Sequence, residues 1–225
     1  MMKSILSVLT LLALSLSSYG TEVLLNGDFE GESGWSHSSN VSFKGEHWGV
    51  EPASGSKMAV LAVHGYDDAW LSQPINLSGH HKVTISFMYK LKAWDWYPGG
   101  GPDRLTIRLG DYLLAEIPID DLWDGEWLWG FYPTTGTPLE TGWLRFEETY
   151  PVTTFGDQLQ NLMLRFDLEN LDESGGDTDQ MCTAYLDEVS ADAAPEPATI
   201  VTMGLGLLGA AGMLRRSRRR RESEN

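Results

Sequence analysis

Residues 83–92 read Val83-Thr84-Ile85-Ser86-Phe87-Met88-Tyr89-Lys90-Leu91-Lys92. Val83, Ile85, Phe87, Tyr89 and Leu91 fall on every second position, with Thr84, Ser86, Met88, Lys90 and Lys92 between them. Successive side chains of an extended chain point to opposite faces, so this spacing builds a strand with one buried face and one wet face. Shorter runs of the same character lie at 22–25, 57–63, 69–75, 104–109, 112–119, 143–149, 160–168 and 181–190. Turn-rich links separate them: Ser78-Gly79, Tyr97-Pro98-Gly99-Gly100-Gly101-Pro102, Thr135-Gly136-Thr137-Pro138 and Ser174-Gly175-Gly176-Asp177. No stretch between 22 and 194 sustains a helical period, and no internal repeat is visible. Many short strands joined by turns predict an all-β, antiparallel sandwich.

The two ends of the chain read differently. Met1 to Gly20 has a positive residue at Lys3, an apolar stretch from Ile5 to Leu16, and small residues at Ser18 and Gly20. That is the pattern of a secretory signal peptide cleaved after Gly20, since its apolar stretch is too short to span a bilayer. At the other end, Pro195-Glu196-Pro197 precedes an uncharged run from Ala198 to Leu214, whose only polar side chains are Thr199 and Thr202. As a helix this run covers roughly 25 Å, slightly short of a ~30 Å hydrocarbon core. Gly204, Gly206, Gly209 and Gly212 weaken a helix in water but are common in membrane helices. No two of them are four apart, so no glycine dimerisation motif is read. Residues 203–214 have no polar face, which argues against a buried amphipathic helix. Arg215, Arg216, Arg218, Arg219, Arg220 and Arg221 follow at once and form a basic anchor that stays on the cytoplasmic side.

Motif, span and arginine cluster in that order resemble the PEP-CTERM sorting signal of Gram-negative bacteria. The resemblance covers only this tail. It implies Pro195, Glu196 and Pro197 as the sorting motif, an exosortase as processing partner, and a temporary inner-membrane anchor through 198–214. Delivery is then to the cell surface or extracellular space. The chain accordingly divides into a signal peptide at 1–20, a folded domain at 21–193 and a sorting segment at 194–225.

The stretch 21–194 carries 29 acidic against 9 basic side chains once Lys3, the six tail arginines, Glu196, Glu222 and Glu224 are set aside. That balance excludes nucleic acid and anionic lipid as partners of the domain. It suits a soluble surface protein or a calcium binder. All nine tryptophans lie in this stretch, and so does the single cysteine, Cys182, read as a buried core thiol.

Leu25-Asn26-Gly27-Asp28-Phe29-Glu30 with Gly34-Trp35 opens the domain, and Ser54-Gly55-Ser56-Lys57-Met58-Ala59-Val60-Leu61 follows. Ala184-Tyr185-Leu186-Asp187-Glu188-Val189 closes it. These stretches resemble the carbohydrate-binding jelly rolls of the galactose-binding-domain-like superfold, such as the family 4, 9 and 22 modules, over 23–190. The resemblance implies a jelly-roll β-sandwich and one structural calcium ion tying the first strand to the last. The matching positions are Asp28 or Glu30, the backbone near Lys57, and Asp187. Calcium takes several oxygens, which carboxylates at both ends of the chain can supply. Read on their own, the residues leave another possibility open, in which Asp28 caps a turn and Asp187 is a surface carboxylate at a strand end. The acidic run 172–179 lacks the spacing of an EF-hand and reads as a solvated loop.

Trp94-Asp95-Trp96-Tyr97 precedes a glycine-proline turn, and Trp123, Trp127 and Trp129 sit in a second turn-rich segment with Asp124 and Glu126. Indoles stack on the C–H faces of sugar rings while neighbouring carboxylates accept hydroxyl hydrogen bonds. Trp94, Trp96, Trp123, Trp127 and Trp129 are therefore the candidate carbohydrate contacts, although Trp127 and Trp129 are two apart and one strand face could bury both. Trp35 and Trp143 are assigned to the core. The histidines show no ligand spacing, and no hydrolase motif is present. Glu147 and Glu148 are adjacent on a strand and point to opposite faces; Asp120 and Asp121 share that difficulty. The expectation is an exported, non-catalytic surface or matrix protein that binds exopolysaccharide. The alternatives are a calcium-dependent structural matrix or floc protein without sugar specificity, and a glycan hydrolase or lyase.

Overall fold

The computed structural model describes residues 21–31, 33–64, 68–93, 104–119, 139–169 and 181–195. The described strands are, in order, β1 (Thr21–Glu22), β2 (Ser36–His37), β3 (Val41–Lys44), β4 (Met58–His64), β5 (Ala69–Ile75) and β6 (His80–Ala93). There follow β7 (Arg104–Leu109), β8 (Tyr112–Pro118), β9 (Leu139–Glu140), β10 (Leu144–Pro151), β11 (Leu162–Glu169) and β12 (Met181–Pro195). One sheet runs β10-β6-β12-β4-β3, with β1 beside β12 and β9 beside β6; the other runs β2-β5-β11-β7-β8. All of these pairings are antiparallel. The chain is the antiparallel β-sandwich that its alternating runs predict.

The alternation at 83–92 does what its spacing requires. Val83, Ile85, Phe87 and Leu91 are buried against the second sheet and Tyr89 partly so; on the other face Thr84, Met88 and Lys90 keep partial exposure, while Ser86 and Lys92 are covered as well. Aromatic rings join the two sheets. Phe166 on β11 meets Phe87 on β6 edge to face at 5.1 Å and Trp35 at 6.4 Å. Trp35 packs on Phe29 at 5.4 Å, and Phe87 stacks on Phe146 at 4.8 Å. Such offset and edge-on contacts suit the ring quadrupoles and add to the area buried. Trp35 and Cys182 are core residues as expected. Trp143 is not in the main core: it lies half-buried against a small cluster of Val50, Met58, Val60 and Tyr185 outside the seven-stranded sheet.

Three short strands escape the sequence pattern. β2, β3 and β9 contain two to four residues each, too few for a period of two to register. β12 also runs further than 181–190. A bulge between Asp187 and Ser190 shifts its register, after which the inward positions are the small residues Ala191 and Ala193. The strand therefore includes Ala194 and Pro195, which pair with Lys82 and His80. No helix among the described residues is long and apolar enough to cross a membrane, and the span predicted at 198–214 lies outside them.

Phe166→Ala removes the ring that touches both Trp35 and Phe87. The expected loss is about 3–5 kcal/mol of unfolding free energy, measured by urea denaturation with the slope unchanged.

Candidate functional site

The connections at one end of the sandwich carry most of the chain's unusual sequence. Ala93 pairs with both Leu139 and Cys182, Arg104 pairs with both Pro118 and Glu169, and His64 pairs with Met181. Those strand ends flank 94–103, 120–138, 170–180 and 65–67. Trp94, Trp96, Trp123, Trp127 and Trp129 lie outside the described residues, as do Asp120, Asp121 and the acidic run 172–179. What the structure places is the set of strand ends that hold these segments, and they converge. Pro195 leaves from the other end, beside His80, Lys82 and the start of β6. Glu196, Pro197 and the arginines from Arg215 to Arg221 lie outside the described residues.

Beside the converging end, the outer face of the five-stranded sheet is built by register. Asp167 on β11 stands opposite Trp70 on β5 and Thr106 on β7, and Thr106 stands opposite Glu116 on β8. Directly opposed residues share a face, so these four make one row across the sheet. Arg165, with Ser72 and Arg108 opposite it, lies in the next row on one side; Glu169 and Arg104 lie on the other. Their strand neighbours Leu71, Leu105, Ile107, Phe166 and Leu168 are fully buried in the core, which forces the rows outward. Ser38 holds the Trp70 backbone from the sheet edge: its hydroxyl accepts from Trp70 N at 3.1 Å and its N–H donates to Trp70 O at 3.0 Å.

The side chains of this face are held in place. Arg165 sets its guanidinium carbon 5.0 Å from the Trp70 ring centroid. Its Nε donates to Asp167 Oδ1 at 2.7 Å and to Oδ2 at 2.9 Å. The hydrogen bond to Asp167 pushes the Arg165 pKa up against an opposing effect of burial. Arg104 Nε donates to Glu169 at 2.9 Å, and its Nη1 donates to Glu116 at 3.0 Å. Thr106 Oγ1, in a side chain 1 % exposed, has no hydrogen-bond partner. An unsatisfied buried hydroxyl costs about 1–3 kcal/mol, and this one lies beneath the charged side chains of the row rather than at its surface. An indole with fixed charged donors and acceptors around it forms an amphipathic platform. Such a surface matches a ring with an apolar face and a hydroxylated edge. Nothing in the 69–75 run singled out Trp70, because nearly every position there is apolar or small. Its opposition to Asp167 is a fact of register. Glu147 and Glu148 separate as their adjacency requires: Glu147 pairs with Arg145 and Glu148 bonds the Tyr150 hydroxyl.

Glu30 and Asp187, two of the positions matched to a calcium site, meet the same loop. Glu30 accepts from Ser56 N, from Ser56 Oγ and from Lys57 N, the last at 3.0 Å. These bonds, those of Ser56 first, hold its pKa below the usual carboxylate value. Gly55, at φ +60°, gives Glu30 its room, since a Cβ there would collide with Glu30 Oε1. Asp187 accepts from Ser54 N at 2.9 Å and from Glu188 N at 2.8 Å. It is fully buried rather than a surface carboxylate, and burial raises its pKa against the lowering by those N–H groups. Asp28 is exposed, and its Oδ1 accepts from Glu30 N at 3.3 Å, which caps a turn. Among the described residues no three His, Cys, Asp or Glu side chains gather at a metal-binding distance. Both carboxylates are held by N–H groups of the 54–57 loop, Asp187 by Ser54 and Glu30 by Ser56 and Lys57.

The comparisons with known proteins bear on the tail first. Residues 193–220 match the PEP-CTERM protein-sorting motif. A PEP-CTERM motif implies an exported chain, anchored in the membrane and processed by an exosortase before release. No curated protein matches the chain in sequence. Among solved structures, similar chains include the CBM22-1 xylan-binding domain of Paenibacillus barcinonensis Xyn10C. It is 14% identical, with 79% of this chain and 97% of that chain covered and a TM-score of 0.42. The module TmCBM61, solved with β-1,4-galactotriose, is 13% identical over 77% of this chain and 99% of its own, with a TM-score of 0.43. A Stig cyclase from Fischerella sp. TAU is 16% identical over 78% and 98%, with a TM-score of 0.45. Binding modules and an enzyme thus stand side by side among these similar chains, and function has to be read from the residues of the site itself.

The opposite shifts at Glu30 and Asp187 predict opposite pH dependences. Glu30 contributes stability above its ordinary pKa and loses it as pH falls through the lowered value. Asp187, with a raised pKa, favours the fold more as pH falls toward about 4. Glu30→Gln is therefore expected to lower the melting temperature at neutral pH, with the deficit shrinking in acid. Asp187→Asn is expected to flatten the acid-side gain. Thermal denaturation across that pH range measures both, and a Glu30→Gln deficit independent of pH refutes the assignment.

Proposed function

We propose that the exported domain is a non-catalytic module that holds exopolysaccharide at the bacterial surface or in the extracellular matrix. The observation that carries this reading is the part-exposed indole of Trp70 with Arg165 clamped over it and held there by the Asp167 carboxylate. The row lies next to the strand ends from which the tryptophan-bearing segments 94–103 and 120–138 depart, so Trp94, Trp96, Trp123, Trp127 and Trp129 can add stacking contacts to it. Glu116, Asp167 and Glu169 are each tied to an arginine, an arrangement that suits binding better than acid–base exchange. The surplus of carboxylates favours neutral glycans over polyanions. In the Gram-negative envelope, processing at the sorting motif would then release the domain from its inner-membrane anchor and leave the arginine cluster behind.

Affinity electrophoresis of the domain through gels containing neutral polysaccharides tests the reading. Trp70→Ala is expected to weaken retention roughly tenfold, about 1.4 kcal/mol, because an aromatic contact and the Arg165 clamp are lost together. Its melting temperature should hold, since the side chain faces outward. Trp96→Ala or Trp127→Ala is expected to weaken retention further. Retention on no matrix glycan, or retention indifferent to these substitutions, overturns the proposal.

A second reading, a matrix protein that depends on calcium, draws on the surplus of carboxylates in the domain and on the buried carboxylate of Asp187 beside the 54–57 loop. It takes Asp28, Glu30, the Lys57 backbone and Asp187 as the surroundings of one calcium ion. An ion bound only by the fold stabilises it by about 2.7 kcal/mol at a hundredfold excess over its Kd, and so raises the melting temperature with concentration. Titration with calcium and removal by chelator measures this, and an indifferent melting temperature rules the ion out.

A further inference from the structure

On the opposite sheet, residues 45–57 leave β3, cross the outer face and return as β4. His47 N donates to Val50 O and Val50 N to His47 O, both at 3.0 Å, closing a turn with Trp48 and Gly49 at its tip. Both tip residues are left-handed, Trp48 at φ 51° and Gly49 at φ 78°. A two-residue turn of that kind is met most readily by Asn-Gly, and a bulky side chain there costs roughly 1–2 kcal/mol. The other large residues at positive φ have a visible reason. Phe29 is fully buried between Trp35 and Phe43, and Glu188 sits in the bulge with its N–H on Asp187. Trp48 is 41% exposed, where Phe29 is fully buried. Strain held at an exposed site points toward function.

The surroundings of Trp48 are ordered. The His47 ring lies 4.1 Å from the Trp48 ring, and the Tyr185 hydroxyl stands 3.4 Å from His47 Nδ1. Lys92 Nζ donates to Trp48 O at 2.8 Å and reaches Glu140 Oε2 at 3.5 Å, while Lys90 Nζ reaches Glu140 Oε1 at 3.5 Å. One ammonium therefore holds both the tip of the turn and a carboxylate that remains about half exposed. Next to Lys92 in register, Thr183 carries a buried hydroxyl with no hydrogen-bond partner.

We propose that Trp48 is a second saccharide-stacking platform, on which a pyranose ring of a neutral glycan lies against the indole while Glu140 accepts its hydroxyl hydrogen bonds. It shares a ligand class with the Trp70 face and rests on that reading for the class alone. The two sites have no residue in common, so either can fail without the other. Two sites on opposite sheets let one domain bridge two polysaccharide strands.

The test uses Trp48→Asn, Glu140→Gln and Trp70→Ala in the exported domain, titrated calorimetrically with soluble neutral polysaccharides: a β-glucan, a xylan and a galactan. Trp48→Asn replaces the strained residue by one the turn prefers. Its melting temperature should therefore equal or exceed that of the parent while one class of binding site is lost. Glu140→Gln leaves the turn intact and should weaken the same class. Trp70→Ala should remove the other class only. Abolition of all binding by Trp70→Ala alone, or an unchanged site number in both Trp48→Asn and Glu140→Gln, overturns the proposal. So does a parent domain that binds none of the probes.

Discussion

β6 and β12, of 14 and 15 residues, stay paired from Ala93 and Cys182 at one end to His80 and Pro195 at the other, and each is flanked by further strands. A slip of one residue would turn Phe87, Leu91, Ala184 and Leu186 from the core to solvent, so the register is fixed by everything packed beneath it. The ladder is interrupted twice, between Asp187 and Ser190 and again at its end between Ala194 and Pro195. At the first, a bulge, Val189 N turns aside to donate to Gly27 O at 2.8 Å, which draws the first segment of the chain against the last strand. The Glu30 and Asp187 contacts with the 54–57 loop follow from that approach. The bulge is thus where the two ends of the domain are joined.

Polar groups are buried unevenly across the sandwich. Asp187 keeps a raised pKa at the junction, with backbone N–H groups of Ser54 and Glu188 on its carboxylate. Asp167, nearly as buried, is instead matched by Arg165. The first arrangement joins segments far apart in the chain; the second fixes a guanidinium above an indole. Ion pairs on a partly exposed face add little stability, so the value of the Arg165 clamp lies in orientation rather than in energy. The unpaired hydroxyls of Thr106 and Thr183 lie on opposite sheets, each beside a charged row.

The sandwich was legible in the sequence wherever a strand was long enough to show a period of two and had one wet face, as at 83–92. β2, β3 and β9 were not, because two to four residues contain no period. The end of β12 was hidden by its bulge and by alanines whose small side chains blur the pattern. Site residues were harder for a different reason. Tryptophans beside turn signals draw notice, which is why 94–96 and 123–129 stood out. Trp70 is marked only by Asp167, almost a hundred residues away, and Trp48 only by a backbone angle. Neither a cross-strand partner nor a left-handed φ is written in local composition.

The long strand pair also sets a direction. Ala193 and Ala194 are buried in the sheet, and Pro195 is still paired with His80, so the sorting match at 193–220 begins inside the fold. His81 Nδ1 lies 3.0 Å from Pro195 O; a carbonyl only accepts, so the proton is on that nitrogen. Between Pro195 and an apolar run beginning at Ala198 stand two residues. At most ~3.6 Å per residue, three steps of chain cover about 11 Å. An anchored chain must therefore hold the His80–Lys82 end of the sandwich close to the bilayer. The strand ends that carry the tryptophan segments, and the Trp70 row beside them, are at the opposite end of the β6–β12 pair from Pro195. The first carbonyl of Pro195-Glu196-Pro197 is thus already bonded within the folded domain.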